Sequence, residues 1–335
     1  MKICVVGAGA IGGYLAVLLA RSGNVVTVIA RGPHLAAIRE KGLRLIGHDG
    51  AEIGVAHVSA TSDMAEAGPQ DLVLLTVKAH QVEAIAGQLE SLMQENTVIV
   101  PMQNGMPWWY FQRHGGEHEG TTVETVDPSG TIARTIDPAR ILGCVVYPAT
   151  TIVAPGVIKH IEGNRFPIGE LDGVESERAK QVSEVFVAAG LKSPILDDIR
   201  AEIWLKVWGS LSFNPISALT HATLVDLCQY PLARELARDM MLEAQAVANK
   251  LGRTLRVTID RRIDGAEKVG RHKTSTLQDV EAGRAVEVDA LIGSVIELSE
   301  LTGTPAPASR AVHALLKLLV ATMHEQRARV VLQRD

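Results

Sequence analysis

A glycine pattern near the start of this chain narrows its possible folds more than any other feature. Gly7-Ala8-Gly9-Ala10-Ile11-Gly12 has the spacing GxGxxG. It lies between an apolar, β-branched run at residues 2–6 and a helix-spaced set of leucines, Leu15, Leu18 and Leu19. A strand–turn–helix with these glycines is the expected cradle for a dinucleotide pyrophosphate. Gly7 permits the tight turn, Gly9 lets backbone approach the phosphates, and Gly12 allows close helix–strand packing. The helix N-terminus offers N–H groups to the anion. The alternative is a glycine turn that holds no ligand. Residues 3–20 form an 18-residue stretch without a charge, long enough to imitate a membrane helix or a signal peptide. Gly7, Gly9, Gly12 and Gly13 interrupt it, and each costs about 1 kcal/mol inside a helix. A buried strand, a glycine turn and a buried helix face are expected instead.

Further strands and helices alternate after this unit. Residues 25–30 form a strand, 34–41 a helix ending at Gly42, 71–77 a buried strand, 81–93 a helix and 97–101 a strand. That alternation implies a doubly wound parallel sheet. Residues 108–138 are rich in Gly, His, Glu, Thr and Asp, and an irregular excursion is expected there. Short strands at 141–147, 157–161 and 166–168 follow, then a helix at 174–189 ending at Gly190. Helical periodicity dominates 201–251, 275–301 and 308–329. The expected organisation is an N-terminal α/β domain over 1–195 and an all-α domain over 196–335.

Composition limits the function. The 335 residues are 47% hydrophobic, enough for a large core. The net charge is −5 (33 basic against 38 acidic) and only 4% of residues are aromatic. Wrapping nucleic acid needs clustered cations or stacking rings, so no nucleic-acid partner is expected. No membrane association is expected either. Cys4, Cys144 and Cys228 are widely spaced and odd in number, which argues against a disulfide framework and for a reducing cytoplasm. His114 and His118 flank Gly115-Gly116-Glu117 without the HExxH pattern, so no metal is expected.

Positions after the strands point to a ligand. Val28-Ile29-Ala30 is followed by Arg31, where an NAD-binding domain usually carries an acid for the ribose hydroxyls. A guanidinium there suits a 2′-phosphate and hence NADPH; the alternative is an arginine solvating a loop. Lys78 and Asn104 follow two further strands, and ligands of open α/β sheets bind beyond strand carboxyl ends. In the helical half, Lys206, Ser210 and Asn214 are spaced i, i+4, i+8 on one helix face among Trp204, Leu205, Val207, Trp208 and Leu211. Pro215 is expected to bend or end that helix. A lysine beside apolar surface can have its pKa lowered into the range of a proton donor; an exposed lysine on an amphipathic helix gives the same spacing. Ser275 is expected to cap a helix with Gln278 as its capping-box partner. A helix start is also a natural carboxylate site. Glu287 follows Asp279 by eight residues, on roughly the same expected face.

These motifs together resemble those of the ketopantoate reductases (2-dehydropantoate 2-reductases). They are the GxGxxG turn, Val77-Lys78-Ala79, Gln103-Asn104-Gly105, Trp204 to Pro215 and Lys273 to Asp279 with Glu287. The resemblance implies a Rossmann domain joined to a helical domain like that of 6-phosphogluconate dehydrogenase. It implies NADPH-dependent reduction of a 2-oxo acid to a 2-hydroxy acid, with ketopantoate, of pantothenate biosynthesis, as the first substrate. By resemblance Lys206 is the proton donor and Glu287 the acid that orients substrate. Ser275 holds the carboxylate, and Asn104, Ser210 and Asn214 stand at substrate-contacting positions. Arg31 matches the 2′-phosphate residue, and Lys78 a lysine near the cofactor. Ser210, Leu224 and His272 stand where many or some members carry asparagine, and residues 108–138 look longer than usual. A related dehydrogenase for a branched or aromatic 2-oxo acid is therefore one alternative, and a non-catalytic NADPH sensor another. Groups on two domains imply that closure over the substrate assembles them. The helical half offers surface for a homodimer.

Overall fold

In a computed structural model of the chain, residues 1–332 are described. They form two compact units. One comprises Met1–Gln103, Phe111–Thr122 and Ser129–Ile199; the other comprises Asn104–Tyr110, Val123–Pro128 and the chain from Arg200 onward.

The first unit begins with β1 (Lys2–Val6), α1 (Ala10–Arg21), β2 (Val25–Ile29) and α2 (Gly32–Lys41). Then come β3 (Leu43–Ile46), β4 (Glu52–Ala56), β5 (Ser59–Thr61), α3 (Met64–Ala67), β6 (Leu72–Leu75) and β7 (Val98–Pro101). The main sheet has the order β5-β2-β1-β6-β7, with every pair parallel. Its central strands are apolar because both faces are covered: Ile3, Val5, Val28, Leu72 and Leu74 are fully buried. Strand order reverses at β1, so β1 and β6 flank the point where open α/β sheets bind ligands. The charge-free stretch at 3–20 is therefore a strand, a turn and a helix, as its glycines require.

The expected helix at 81–93 is replaced by 3-10 helix at Ala79–Gln81 and Glu83–Leu92. Its buried side chains recur in steps of three, from Val82 to Ile85 and from Ala86 to Leu89 to Leu92, the spacing at which 3-10 side chains eclipse. A second sheet has the order β4-β3-β10-β9, and of its strands only β10 falls on an expected strand. It uses β9 (Ala149–Ala154) and β10 (Val157–Glu162), and α1 packs against its strands. Residues 108–138 are irregular except for α4 (Thr131–Thr135), yet Trp108, Trp109, Tyr110 and Phe111 are buried. A pair of strands, β8 (Leu142–Cys144) and β11 (Ile168–Glu170), precedes α5 (Glu177–Ala188), which is capped by Ser176 accepting from Ala179 N.

The second unit is helical: α6 (Ile199–Thr220, whose first residue closes the first unit), α7 (Leu224–Gln229), α8 (Pro231–Lys250), α9 (Ile259–Lys268), α10 (Ser275–Ala282), α11 (Ser294–Leu301) and α12 (Pro307–Glu325). A turn of π-helix, Asp289–Gly293, leads into α11. The short segments from the N-terminal half belong here for identifiable reasons. Tyr110 O accepts from Arg200 Nε at 2.7 Å, and Tyr110 OH accepts from Trp204 Nε1 at 2.7 Å. The Glu297 carboxylate accepts from Glu124 N at 2.7 Å and Thr125 N at 2.8 Å. Such long-range pairs leave no periodic trace in the sequence.

Candidate active site

The glycine turn has the form its spacing demands. Gly7 has φ +106°, and a Cβ there would lie 2.8 Å from Val77 Cγ1. Gly7 N and Ala8 N both donate to Ile29 O at 3.1 Å. Thr76 Oγ1 donates to Gly7 O at 2.6 Å, a pin that the sequence pattern does not announce. Gly12 is pressed against the same turn, because a Cβ there would come within 2.1 Å of Gly7 O. Gly9 differs: a Cβ on it would meet nothing within 4 Å. It caps α1 without a side chain, and Ala10 and Ile11 begin the helix half-buried. A bare helix N-terminus, with open space over the one glycine that packing does not require, fits an anionic dinucleotide.

Arg31 is exposed directly after β2, at the N-cap of α2. Lys78 is half-buried beyond β6, its backbone N donating to Gln81 Oε1 at 3.1 Å. Both therefore stand just past the carboxyl ends of strands adjoining β1. Gln103 Nε2 donates to Leu75 O and Val77 O at 2.7 and 3.0 Å. Gln103 thus anchors the segment after β7 to the end of β6 and the backbone that follows it, a role its place in the Gln-Asn-Gly motif does not announce.

In the helical unit, α6 presents Lys206, Ser210 and Asn214 as a half-buried polar stripe flanked by buried Ile203, Trp204, Val207, Trp208 and Leu211. Pro215 does not end α6, which continues to Thr220. The proline forfeits one i→i−4 bond, while Leu211, Phe213, Ile216 and Ala218 around it are buried and hold the helix in place. Lys206 Nζ donates to Asn104 Oδ1 at 2.5 Å, joining residues 102 positions apart. Ser210 Oγ donates to Lys206 O at 3.3 Å, so its proton is engaged by backbone. Asn214 Nδ2 lies 3.5 Å from Ser275 Oγ.

Two expectations about local structure need correction. Ser275 is not the cap of α10. Thr274 is, with extended backbone and Oγ1 accepting from Leu277 N at 3.3 Å, while Gln278 Nε2 turns back to Lys273 O. The Ser275 hydroxyl is thus exposed in the first helical turn rather than spent on capping. Glu287 does not share a helix face with Asp279. The helix ends at Ala282 with Gly283 left-handed (φ +66°), and Asp279 pairs with Arg284 at 2.7 Å. Glu287 instead stands half-buried just before the π turn, its carbonyl accepting from Leu291 N at 3.2 Å. Of the substituted positions, Leu224 N donates to His272 O at 3.0 Å, so backbone brings those two together.

His114 and His118 both set their rings against Phe111, at centroid distances of 5.3 and 5.6 Å. Among the described residues no cluster of three or more His, Cys, Asp or Glu is placed to hold a metal ion. Burial pushes the Cys4 thiol up to about 12 and the Cys228 thiol up to about 11, so neither is poised as a thiolate. No helix among the described residues is long and apolar enough to cross a membrane.

A parallel sheet with a dinucleotide-type glycine turn, followed by a helical unit with a lysine on a half-buried polar stripe, defines a two-part oxidoreductase of the Rossmann class. The ketopantoate reductase PanE/ApbA family model matches residues 3–173, and the model of that family's C-terminal part matches 198–320. The chain belongs to the ketopantoate reductase family. It is 51% identical over 320 residues to a 2-dehydropantoate 2-reductase of Mesorhizobium japonicum, covering 95% of this chain and 98% of that one. The crystal structure of 2-dehydropantoate 2-reductase from Geobacter metallireducens superposes with a TM-score of 0.83 at 26% identity, over 95% of this chain and 99% of that one. A dimeric ketopantoate reductase from Staphylococcus aureus shares the fold, with a TM-score of 0.74 at 19% identity over 96% and 99% of the two chains.

Proposed function

We propose that this chain reduces ketopantoate to pantoate with NADPH, using Lys206 as the proton donor. The observation that carries this reading is the half-buried Lys206 ammonium on α6, held by Asn104 Oδ1. Reduced nicotinamide, when bound, supplies a hydride to the keto carbon of the substrate. As the carbonyl oxygen gains negative charge, the ammonium stabilises it and then delivers a proton to it. Ser275, exposed in the first turn of α10, holds the carboxylate with help from that helix end. Asn214 fixes a polar substituent, and Glu287 orients the substrate. The turn from Gly7 through Gly12 binds the pyrophosphate by backbone, Arg31 pairs with the 2′-phosphate, and Lys78 stands near the nicotinamide end of the cofactor.

Ser210 and Leu224 support a second reading, a branched or aromatic 2-oxo acid as substrate. The Ser210 proton is engaged by the Lys206 carbonyl and Leu224 carries no polar side-chain atom. Steady-state assays of ketopantoate, 2-oxoisovalerate and benzoylformate, each with NADPH and NADH, separate the two. Highest kcat/KM with ketopantoate and NADPH is expected; preference for benzoylformate selects the second reading, and turnover of none contradicts both. A homodimer belongs to the same proposal. Leu315 and Leu318 on α12 are 56% and 64% exposed, and the Staphylococcus aureus relative is dimeric. Light scattering should give twice the 35.9 kDa chain mass; the single mass contradicts the dimer.

A further inference from the structure

The π turn at Asp289–Gly293 has a specific consequence for backbone bonding. In an α-helix the Ser294 N–H would bond to Ala290 O, four residues back; here it bonds to Asp289 O, five back. The Ala290 carbonyl is thereby released from that bond. It accepts from Met106 N at 3.0 Å and from Ser294 Oγ at 2.9 Å. Ser294 is fully buried, so its hydroxyl has a fixed task there. Gly105, between Asn104 and Met106, has φ +87°, and a Cβ on it would fall 2.0 Å from Ala290 O and 2.6 Å from Ala290 C. Only glycine permits this approach on both counts, conformation and space. The neighbouring Asn104 Oδ1 accepts from Lys206 Nζ. Glu287 lies three residues before Ala290, with its carbonyl bonded to Leu291 N.

We infer that the π turn is a positioning device for the proton donor. Its released Ala290 carbonyl clips the Asn104–Met106 loop in the one place where Asn104 holds the Lys206 ammonium. Gly105 and Ser294 are then positioning residues that act through Asn104, and neither touches the reacting atoms. The same clip ties Asn104 to the short segment that carries Glu287. π turns recur at functional sites because they free backbone groups in this way. The inference rests on the reading of Lys206 as proton donor, but the clip itself is testable without it.

The test is a double-mutant cycle with a second, non-kinetic readout. Gly105→Ala should lower kcat by roughly 10- to 100-fold, the scale of a displacement near 1 Å, with a smaller change in KM. In an Asn104→Ala background the same change should cost less than about 2-fold, because coupled residues are not additive. Ser294→Ala, which removes no backbone, should give a smaller kcat loss with the same dependence on Asn104. It carries the cycle if circular dichroism shows Gly105→Ala unfolded. Equal fold losses in both backgrounds overturn the clip. The second readout is the 15N resonance of the Lys206 ammonium, assigned by its absence in Lys206→Arg. Gly105→Ala or Ser294→Ala should shift it toward its position in Asn104→Ala; an unmoved resonance overturns the clip whether or not any oxo acid is turned over. Full turnover by Lys206→Ala would instead defeat the proton-donor reading and leave the clip standing on the resonance alone.

Discussion

Gly9 and Gly12 sit three residues apart in one turn and answer to different constraints. Gly12 is required by the protein, since its Cβ would strike Gly7 O and Thr76 Oγ1 at 2.1 and 2.5 Å. A Cβ on Gly9 would meet nothing within 4 Å, so packing leaves that position open, as the proposed approach of a pyrophosphate requires. Gly12→Ala should therefore lower Tm, by an amount corresponding to the roughly 1–3 kcal/mol of overpacking. Gly9→Ala should melt as the parent does yet lose most of its affinity for NADPH. Melting curves and cofactor titration of the two variants check this; a Gly9→Ala protein that binds normally would contradict the assignment. Arg31 is exposed and makes its proposed contact only with ligand. A charge-assisted bond of about 1.5–3 kcal/mol predicts that Arg31→Ala weakens NADPH binding by roughly 10- to 100-fold, leaving NADH affinity unchanged in calorimetry. Loss for both dinucleotides alike would assign Arg31 a structural role. At this scale the turn at Gly7 and the close packing of Gly12 were legible because turn geometry depends on few atoms. Thr76 was not, because its hydroxyl bond to Gly7 O joins residues far apart in the chain.

Elements show where local rules gave the right helix with the wrong details. Helix α10 was legible from its Ser/Thr-rich start, but Lys273-Thr274-Ser275 offers two adjacent hydroxyls, and only backbone conformation decides which one caps. The choice bears on the proposed role of Ser275, for a capping side chain is turned back on its own helix, whereas an outward hydroxyl can donate its O–H to a carboxylate. Thr274→Ala should cost about 1 kcal/mol of stability, the usual worth of a cap, with KM little altered. Ser275→Ala should leave Tm unchanged and raise KM for the oxo acid. Thermal melts set beside steady-state kinetics distinguish them, and the reverse pattern would restore Ser275 as the cap. Glu287 shows the same limit. An eight-residue step from Asp279 suggests one helix face, but Gly283 takes a left-handed conformation and breaks the helix between them. Helix α6 differs the other way: of the two outcomes expected at Pro215, a bend or an end, the end does not occur, and the buried residues on both sides carry the helix through to Thr220.

Across the whole molecule, the parallel sheet was legible because alternating apolar runs and glycine turns are local signals. The second sheet was not, since β9 has no buried residue and β3 and β4 mix buried with exposed positions instead of forming apolar runs. Nor was the membership of Asn104–Tyr110 and Val123–Pro128 in the helical unit, which depends on side chains such as Arg200 and Glu297 reaching distant backbone. The candidate site follows the same division. The stripe of Lys206, Ser210 and Asn214 was visible as a spacing. Its partners, Asn104 for the lysine and Ser275 beside Asn214, came from contacts that no spacing encodes.

In the proposed mechanism the Lys206 ammonium protonates the oxygen that receives charge during reduction. Single-turnover reduction of ketopantoate by the NADPH-loaded Lys206→Ala protein measures this most directly, with cofactor affinity determined alongside. The rate should fall by about 10²- to 10⁴-fold, the usual contribution of a positioned acid, with NADPH bound as tightly as in the parent. An unchanged rate would contradict the mechanism.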